Sequence, residues 1–128
     1  MAKEPREIVQ EIYAEKKTAK ITATLKDEDG LALALANVDT LVLTLYEEAT
    51  GTIINSRSGS DIKNTGGGTL DATSGAFTLT LAPDDMAIIQ TDRNKEWHVA
   101  LIEWTYNSGA DGGGKEIAFQ VQNLVKVS

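Results

Sequence analysis

The segment from Lys95 to Tyr106 constrains the fold most. It is long, contains no Gly or Pro, and is rich in the aromatic and β-branched residues that favour strands. Alternate residues of a strand point to opposite faces, so one face carries Trp97, Val99 and Leu101, and the other carries His98, Ala100, Ile102, Trp104 and Tyr106. Neither face is plainly polar, and a strand that is apolar on both sides is covered on both sides. We expect the hydrophobic core to cover one face and another subunit to cover the other.

A second strand is predicted after a glycine-rich turn over Asn107–Gly114. From Ile117 to Val127 the apolar residues recur with a period of two, which is typical of a half-buried antiparallel strand. Asn123 alone interrupts the apolar side, which carries Ile117, Phe119, Val121, Val125 and Val127. The sequence therefore predicts that these two strands form a hairpin.

Length and composition bound the class of protein. The 128 residues suffice for one domain whose core needs neither metal nor disulfide, so we expect no cofactor. The chain has no cysteine, which excludes disulfide frameworks and thiol nucleophiles and argues against a zinc site. No stretch reads as a signal peptide or is long enough to cross a membrane, so we expect synthesis in the cytoplasm and no membrane partner.

The charge is concentrated in the middle of the chain. The net charge is −7, and residues 27–111 hold fourteen acidic side chains against four basic ones. Phosphate binding depends on a concentrated basic surface, which this segment lacks. We therefore expect no nucleic-acid partner, and the negative charge is expected to keep the folded domain soluble.

Residues 1–17 are predicted to form an N-terminal arm, helical or extended, that precedes a β-domain over residues 18–128. The apolar side chains Ile8, Val9, Ile12 and Tyr13 are spaced to share one face of a short helix from about Arg6 to Tyr13. Pro5 suits the start of such a helix. A helix this short is marginal alone, so the arm is either a frayed tail or a segment that docks on a partner.

The rest of the chain is dominated by short strands. Apolar and polar residues alternate over Thr18–Lys26, Thr40–Tyr46 and Ala76–Leu81, and turn signals recur about every ten residues without βαβ alternation. This pattern predicts an all-β fold, an antiparallel β-sandwich with immunoglobulin-like or Greek-key connections. A closed barrel is the alternative, because length and period do not separate the two.

One helical turn is predicted at Pro83–Met86, where the chain crosses from one sheet to the other. Proline near the start and two carboxylates in the first turn are typical of a helix N-terminus. Asp84 and Asp85 are therefore interpreted as residues that compensate the helix dipole, not as a catalytic pair.

No residue pattern indicates catalysis. His98 is the one histidine and lies in the middle of a strand, where a packed or interface residue is more common than a general base. At an interface it would make assembly sensitive to pH. The glycines at 66–68 lack the Gly-Lys-Ser/Thr of a phosphate loop. We predict that the protein is not an enzyme and assign no catalytic, cofactor-binding or metal-binding residue.

Aromatic side chains leave two binding hypotheses open. Trp97 and Trp104 are seven residues apart and point to opposite faces of a regular strand, so they cannot form one sugar platform. Trp104 and Tyr106 do share a face, which could stack a sugar or contact a protein. Protein contact is favoured, because only 5% of the residues are aromatic.

Five segments together resemble small virion proteins of tailed bacteriophages. They are residues 22–30 (TATLKDEDG), 39–46 (DTLVLTLY), 49–55 (ATGTIIN), 75–84 (GAFTLTLAPD) and 121–127 (VQNLVKV). The resemblance covers nearly all of the chain after residue 17. It implies an immunoglobulin-like β-sandwich that serves in the neck, tail, baseplate or capsid surface, as an adaptor or decoration subunit. The localisation that it implies is the virion, after synthesis in the host cytoplasm.

The resemblance implies that function resides in contacts with other virion proteins, within a homo-oligomer or another symmetric assembly. The residues predicted to make these contacts are Ile8, Val9, Ile12, Tyr13, His98, Ile102, Trp104 and Tyr106. Two alternatives are a carbohydrate-binding or host-adhesion β-sandwich module and a bacterial extracellular β-domain used as a repeat. The single-domain length weighs against the second of these.

Overall fold

The computed structural model describes residues 2–3, 7–27, 29–71 and 73–124, with the backbone alone at residues 2, 3 and 10. Within these ranges the protein is all-β, as predicted, with nine strands and two short 3-10 helices, Leu35–Asn37 and Pro83–Met86. The strands are β1 Ala2–Lys3, β2 Glu7–Ala14, β3 Ala19–Thr24, β4 Val38–Glu47, β5 Ser60–Asp61, β6 Gly68–Leu70, β7 Ala76–Leu81, β8 Lys95–Tyr106 and β9 Asp111–Gln122. Neither helix of the described ranges is long and apolar enough to span a membrane.

The strands form two sheets. The larger sheet has the order β9, β8, β4, β5, and both β1 and β2 pair with the outer edge of β9. The smaller sheet has the order β3, β7, β6. The predicted antiparallel arrangement holds for every pair except two, because β1 and β2 run parallel to β9. The larger sheet is therefore mixed.

One hydrophobic core lies between the two sheets. The alternation predicted for three strands is confirmed, because the residues on one side of β3, β4 and β7 are buried, while their neighbours are half-buried or exposed. The hairpin of β8 and β9 supplies the remaining side of the core. The strand residues that meet there include Ile21, Leu41, Leu43, Leu45, Phe77, Leu79, Leu81, Ile102, Ile117, Phe119 and Val121.

The helix predicted over Arg6–Tyr13 is wrong in its described part, because Glu7–Ala14 is strand β2. Without β2, the edge of β9 would expose a row of unpaired backbone groups, and pairing satisfies them. Ile8 and Ile12 lie opposite Ala118 and Gln120, and both side chains point outward, although the register shifts between them. Val9 and Tyr13 pack inward, and the Tyr13 ring meets Phe119 edge-on at 5.8 Å. Pro5 and Arg6 lie outside the described residues.

The turn of the C-terminal hairpin is shorter than predicted. It occupies residues 107–110, and the glycines at 112–114 belong to β9. Trp104 is paired with Gly113 across the two strands, and a Cβ at Gly113 would lie 2.8 Å from the indole ring. Glycine is therefore needed in the strand because the indole packs directly on its backbone. Val125 and Val127 lie outside the described residues.

The turn predicted at Pro83–Met86 is confirmed as a 3-10 helix between β7 of one sheet and β8 of the other. The two aspartates, however, differ in role. Asp84 is exposed and lies 3.5 Å from Lys16 Nζ. Asp85 is buried, and it accepts two hydrogen bonds from Arg57, at 2.8 and 2.9 Å. Its main partner is thus a cation from the β4–β5 loop, in addition to the backbone N–H of Ala82.

Candidate protein interface

Four of the residues predicted to contact a partner lie inside the protein. His98 and Ile102 are completely buried, and Trp104 and Tyr106 are 2% and 4% exposed. The division of β8 into two apolar faces is confirmed, but the assignment of those faces is corrected. The even-numbered face packs in the core, since Ile102 and Trp104 lie opposite Leu43 and Leu41 of β4.

The predicted residues of the N-terminal segment divide between the two sides of the larger sheet. Val9 and Tyr13 pack against the core. Ile8 and Ile12 lie on the opposite side and are 52% and 46% exposed. The structure therefore brings Ile8 and Ile12 together with the odd-numbered side of β8, not with Trp104 and Tyr106.

An apolar row crosses this outer side of the larger sheet. Residues that lie directly opposite each other on paired strands share a face. Val99 of β8 is opposite Ala118 of β9 and Tyr46 of β4, Ala118 is in turn opposite Ile8, and Tyr46 forms a bridge with Ile53. We call the five side chains Ile8, Ala118, Val99, Tyr46 and Ile53 the outer row.

Larger side chains flank the outer row. Trp97 lies two residues before Val99 on the same face of β8, and Leu101 lies two residues after it; both are half-buried. Val99 is completely buried and Ala118 is 1% exposed, although both point away from the core. Their neighbours therefore already cover the centre of the row. We call the outer row together with Ile12, Trp97 and Leu101 the outer face.

Exposed apolar surface is concentrated on the outer face. Large hydrophobic side chains that are exposed in the described part of the chain number five, and Ile8, Ile12 and Ile53 of the outer face are three of them. The other two, Leu31 and Leu124, lie outside it. Single exposed apolar residues are ordinary, whereas a contiguous apolar patch marks an interaction site. The outer face holds three of the five exposed side chains at its two ends, with the half-buried Trp97, Leu101 and Tyr46 between them, and it is therefore the candidate interaction surface.

The charged residues on the outer side of β8 lie at the ends of the outer face, whereas Glu116 of β9 lies opposite Leu101 on the same side. Lys95 is exposed at the start of the strand, and Glu103 lies on the same side eight residues later. Val42 of β4 lies opposite Glu103 and also opposite Asp61 of β5, so Asp61 adds a second carboxylate to the Glu103 end. The outer row itself carries no charge.

Buried polar groups surround His98 on the core side. Its Nε2 lies 2.5 Å from Glu96 Oε2, where the ring N–H donates to the carboxylate. Glu96 also accepts the backbone N–H groups of Ile89 and Gln90, at 2.8 and 2.7 Å. The Gln90 amide in turn donates to Glu47 at 3.0 Å. This cluster fixes the loop before β8, and a solvent-borne substrate cannot reach the imidazole because His98 is completely buried.

Because His98 lies in the core and not at an interface, its protonation is expected to affect the stability of the fold, and not assembly as the sequence predicted. Burial lowers the pKa of His98 from 6.5, although the hydrogen bond and the charge of Glu96 and the charge of Glu47 favour the protonated form. The unfolded chain therefore binds the proton more readily, and the free energy of unfolding should fall as the pH falls below about 6.5. Urea denaturation of wild type and His98→Gln between pH 5 and 8 checks this. Equal pH slopes for the two proteins would contradict it.

The pair predicted to stack a sugar is not accessible. The Trp104 indole lies in the core, and its Nε1 donates to the carbonyl of Lys26 at 3.2 Å. Tyr106 is buried beside the loop end of the fold. A carbohydrate platform built on these two residues is therefore excluded, and Trp97 is the tryptophan that lies on the outer side of the sheet.

A cleft of about 440 Å³ lies at the loop end, between the 27–37 loop and the 107–110 turn. Its carboxylates are engaged in holding the loops: Asp27 accepts the backbone N–H groups of Asp29 and Leu31, and Asp39 accepts that of Gly109. Among residues 2–3, 7–27, 29–71 and 73–124, no three His, Asp or Glu side chains are grouped so that they could hold a metal ion.

Comparisons with known proteins add no family to these observations. The chain matches no protein-family model, and no curated protein is significantly similar to it in sequence.

Proposed function

We propose that this protein is a non-enzymatic structural subunit that works through protein–protein contacts made by its outer face. The observation that carries the proposal is the uncharged row of side chains across four strands and the bridged segment at Ile53, which ends at two exposed isoleucines, Ile8 and Ile53. Burying such a surface against a partner removes apolar area from water at roughly 25 cal/mol per Å². The two half-buried side chains beside the row, Trp97 and Leu101, would add to the same contact.

The assembly that we propose is the virion of a tailed bacteriophage, with the chain as a neck or tail adaptor or a capsid-surface subunit. The resemblance of the five sequence segments supports this location. Repetition in a symmetric particle also suits a contact of modest area, because each weak contact is multiplied. The net charge of −7 is compatible with a subunit that stays soluble before it assembles.

We further propose that the connections are immunoglobulin-like. The constant-type immunoglobulin sandwich has strands C, F and G in one sheet and B, E and D in the other. Here β4, β8 and β9 are neighbours in the larger sheet in that chain order, and β3, β7 and β6 are neighbours in the smaller one. The correspondence of strand order supports the fold type that the resemblance implies.

A carbohydrate-binding or adhesion module is the second candidate. One observation favours it: Trp97 lies directly opposite Gln120 on the outer side of the sheet, and an aromatic ring beside an amide suits a sugar. The two candidates share the outer face, so the same variants test both.

Charged substitutions on the outer face are expected to abolish assembly without unfolding the protein. Ile8→Asp and Ile53→Asp place a charge on side chains that are already exposed, so each should change the free energy of unfolding by no more than about 0.5 kcal/mol. In the assembled state the same charge would be buried without a partner, and incorporation should fall at least about tenfold. The measurement is the amount of protein in particles isolated after expression together with the flanking genes.

Leu31→Asp is the matched control. Leu31 is 64% exposed but lies outside the outer face, so its replacement should leave incorporation unchanged. Wild-type incorporation of both Ile8→Asp and Ile53→Asp would overturn the proposed function. Glycan binding that is lost in Trp97→Ala, with no particle incorporation by wild type, would establish the second candidate instead.

A further inference from the structure

We infer that the outer face binds the outer face of a second copy of this chain, about a two-fold axis that runs along the outer row. The inference rests on the proposed function for the use of this face, and it adds the identity and the orientation of the partner. The observations behind it are the extent of the apolar surface, the order of side chains along β8 and the position of the charges.

The extent of the face fits a homodimer of modest affinity. Four strands and the bridged segment at Ile53, about 4.8 Å apart, give a width of about 20 Å, and the seven residues Trp97 to Glu103 give a length of about 20 Å. Two copies would therefore bury on the order of 1,000 Å² together, once the relief of the side chains is included. This is at the lower limit for a specific interface, so we expect a dissociation constant in the micromolar range.

A two-fold axis along the outer row makes the face complementary to itself. Rotation about this axis reverses the direction of β8 but leaves each member of the row opposite its own copy. Trp97 and Leu101 lie at equal distances on either side of Val99, so Trp97 of one copy packs on Leu101 of the other. A large and a smaller side chain thus meet twice, which allows the two sheets to pack closely.

The same rotation places opposite charges together. Lys95 and Glu103 lie four residues before and four residues after Val99 on the same face of β8. In the dimer, Lys95 of each copy therefore lies over Glu103 of the other, and Asp61 lies two strands away at the same end of the face. A two-fold axis along β8 would instead keep the strands parallel and bring Glu103 of one copy against Glu103 of the other. Charge thus selects the antiparallel orientation, although each chain carries a net charge of −7.

Sedimentation equilibrium of the purified full chain over about 1–500 μM tests the inference. We expect a reversible monomer–dimer equilibrium that Lys95→Glu weakens about tenfold, because two attractive pairs become repulsive. Glu103→Lys should weaken it similarly, and the double variant Lys95→Glu, Glu103→Lys should restore the wild-type constant. Restoration by the double swap requires that the two residues meet across the interface, since they are about 27 Å apart within one chain.

Cross-linking through a single introduced cysteine is a second measurement, because the chain has no cysteine of its own. Ile53→Cys places one thiol near the proposed axis, so a short bis-maleimide reagent should link two copies, whereas Leu31→Cys should give no linked dimer above the background.

A chain that stays monomeric up to 500 μM, or a dimer that neither charge variant weakens, would overturn the inference. Monomeric wild type combined with a loss of particle incorporation in Ile8→Asp would overturn this inference alone and leave the proposed function standing. Dimerisation of wild type combined with normal particle incorporation of Ile8→Asp and Ile53→Asp would overturn the proposed function and leave this inference standing.

Discussion

Replacing Asp85 with alanine is expected to lower the free energy of unfolding by about 3–5 kcal/mol, because it leaves a buried cation without its partner. The Asp85 carboxylate is completely buried and accepts four hydrogen bonds: two from Arg57, one from Asn55 Nδ2 and one from the Ala82 N–H. Arg57 is itself largely buried. Urea denaturation followed by tryptophan fluorescence measures the loss, which is a large fraction of the stability of an ordinary domain.

The neighbouring aspartate is the control. Asp84 has an exposed side chain and only a 3.5 Å contact with Lys16, so Asp84→Ala should change stability by no more than about 0.5 kcal/mol. If Asp84→Ala and Asp85→Ala lowered the free energy of unfolding equally, the loss would come from any replacement in this 3-10 helix and not from the buried ion pair.

The same ion pair should contribute to acid unfolding. Burial alone would raise the pKa of Asp85, but the hydrogen bonds from Arg57, Asn55 and Ala82 and the charge of Arg57 lower it below 3.8 overall. The carboxylate therefore stabilises the fold fully above that pH, and its contribution is lost as the pH falls further through the lowered pKa. Asp85→Asn should lack this part of the acid-induced loss.

Trp104→Ala is the second large effect, with an expected loss of about 3–5 kcal/mol. The substitution removes the largest of the fully buried side chains and leaves a cavity over Gly113. It also leaves the Lys26 carbonyl without the indole N–H. Trp97→Ala is the comparison, because Trp97 is half-buried on the outer side, and its loss should be on the order of 1 kcal/mol. Equal losses from the two tryptophans would contradict the assignment of the two faces.

A double-mutant cycle with Gly113→Ala tests the close contact itself. In wild type the added methyl group would lie 2.8 Å from the indole ring, and the overpacking should cost about 1–3 kcal/mol. In the Trp104→Ala background the same methyl group enters the cavity, so it should be neutral or stabilising. Additive effects of the two substitutions would show that the indole and Gly113 are independent.

The sequence predicts strands well where one side is plainly polar. In β3 and β7 threonine and lysine alternate with alanine, leucine, isoleucine or phenylalanine, so the period of two identifies both the strand and its inner side. For β8 the same period gives the two faces but not which of them is inside. Lys95, Glu103 and Thr105 occupy the odd-numbered side, but Glu96 and His98 occupy the buried side, so polar residues alone do not separate the two faces.

The N-terminal segment shows a limit of local patterns. The spacing of Ile8, Val9, Ile12 and Tyr13 fits one face of a helix, but it also fits a strand with an irregular register. The edge of β9 decides between them, and that edge is more than a hundred residues away in sequence. The partnership of Arg57 with Asp85 is equally invisible in the sequence, because Arg57 comes from the β4–β5 loop and Asp85 from the 3-10 helix after β7.

The parallel pairing of β2 with β9 has a consequence for the order of folding. The hairpin of β8 and β9 closes over a turn of four residues, whereas β2 must find a strand near the other extreme of the described chain. Closing so long a loop costs entropy before any contact compensates it, so we expect β2 to join last and to detach first. While β2 is detached, the edge of β9 and the side of the Phe119 ring that Tyr13 covers would be accessible to a strand of another chain.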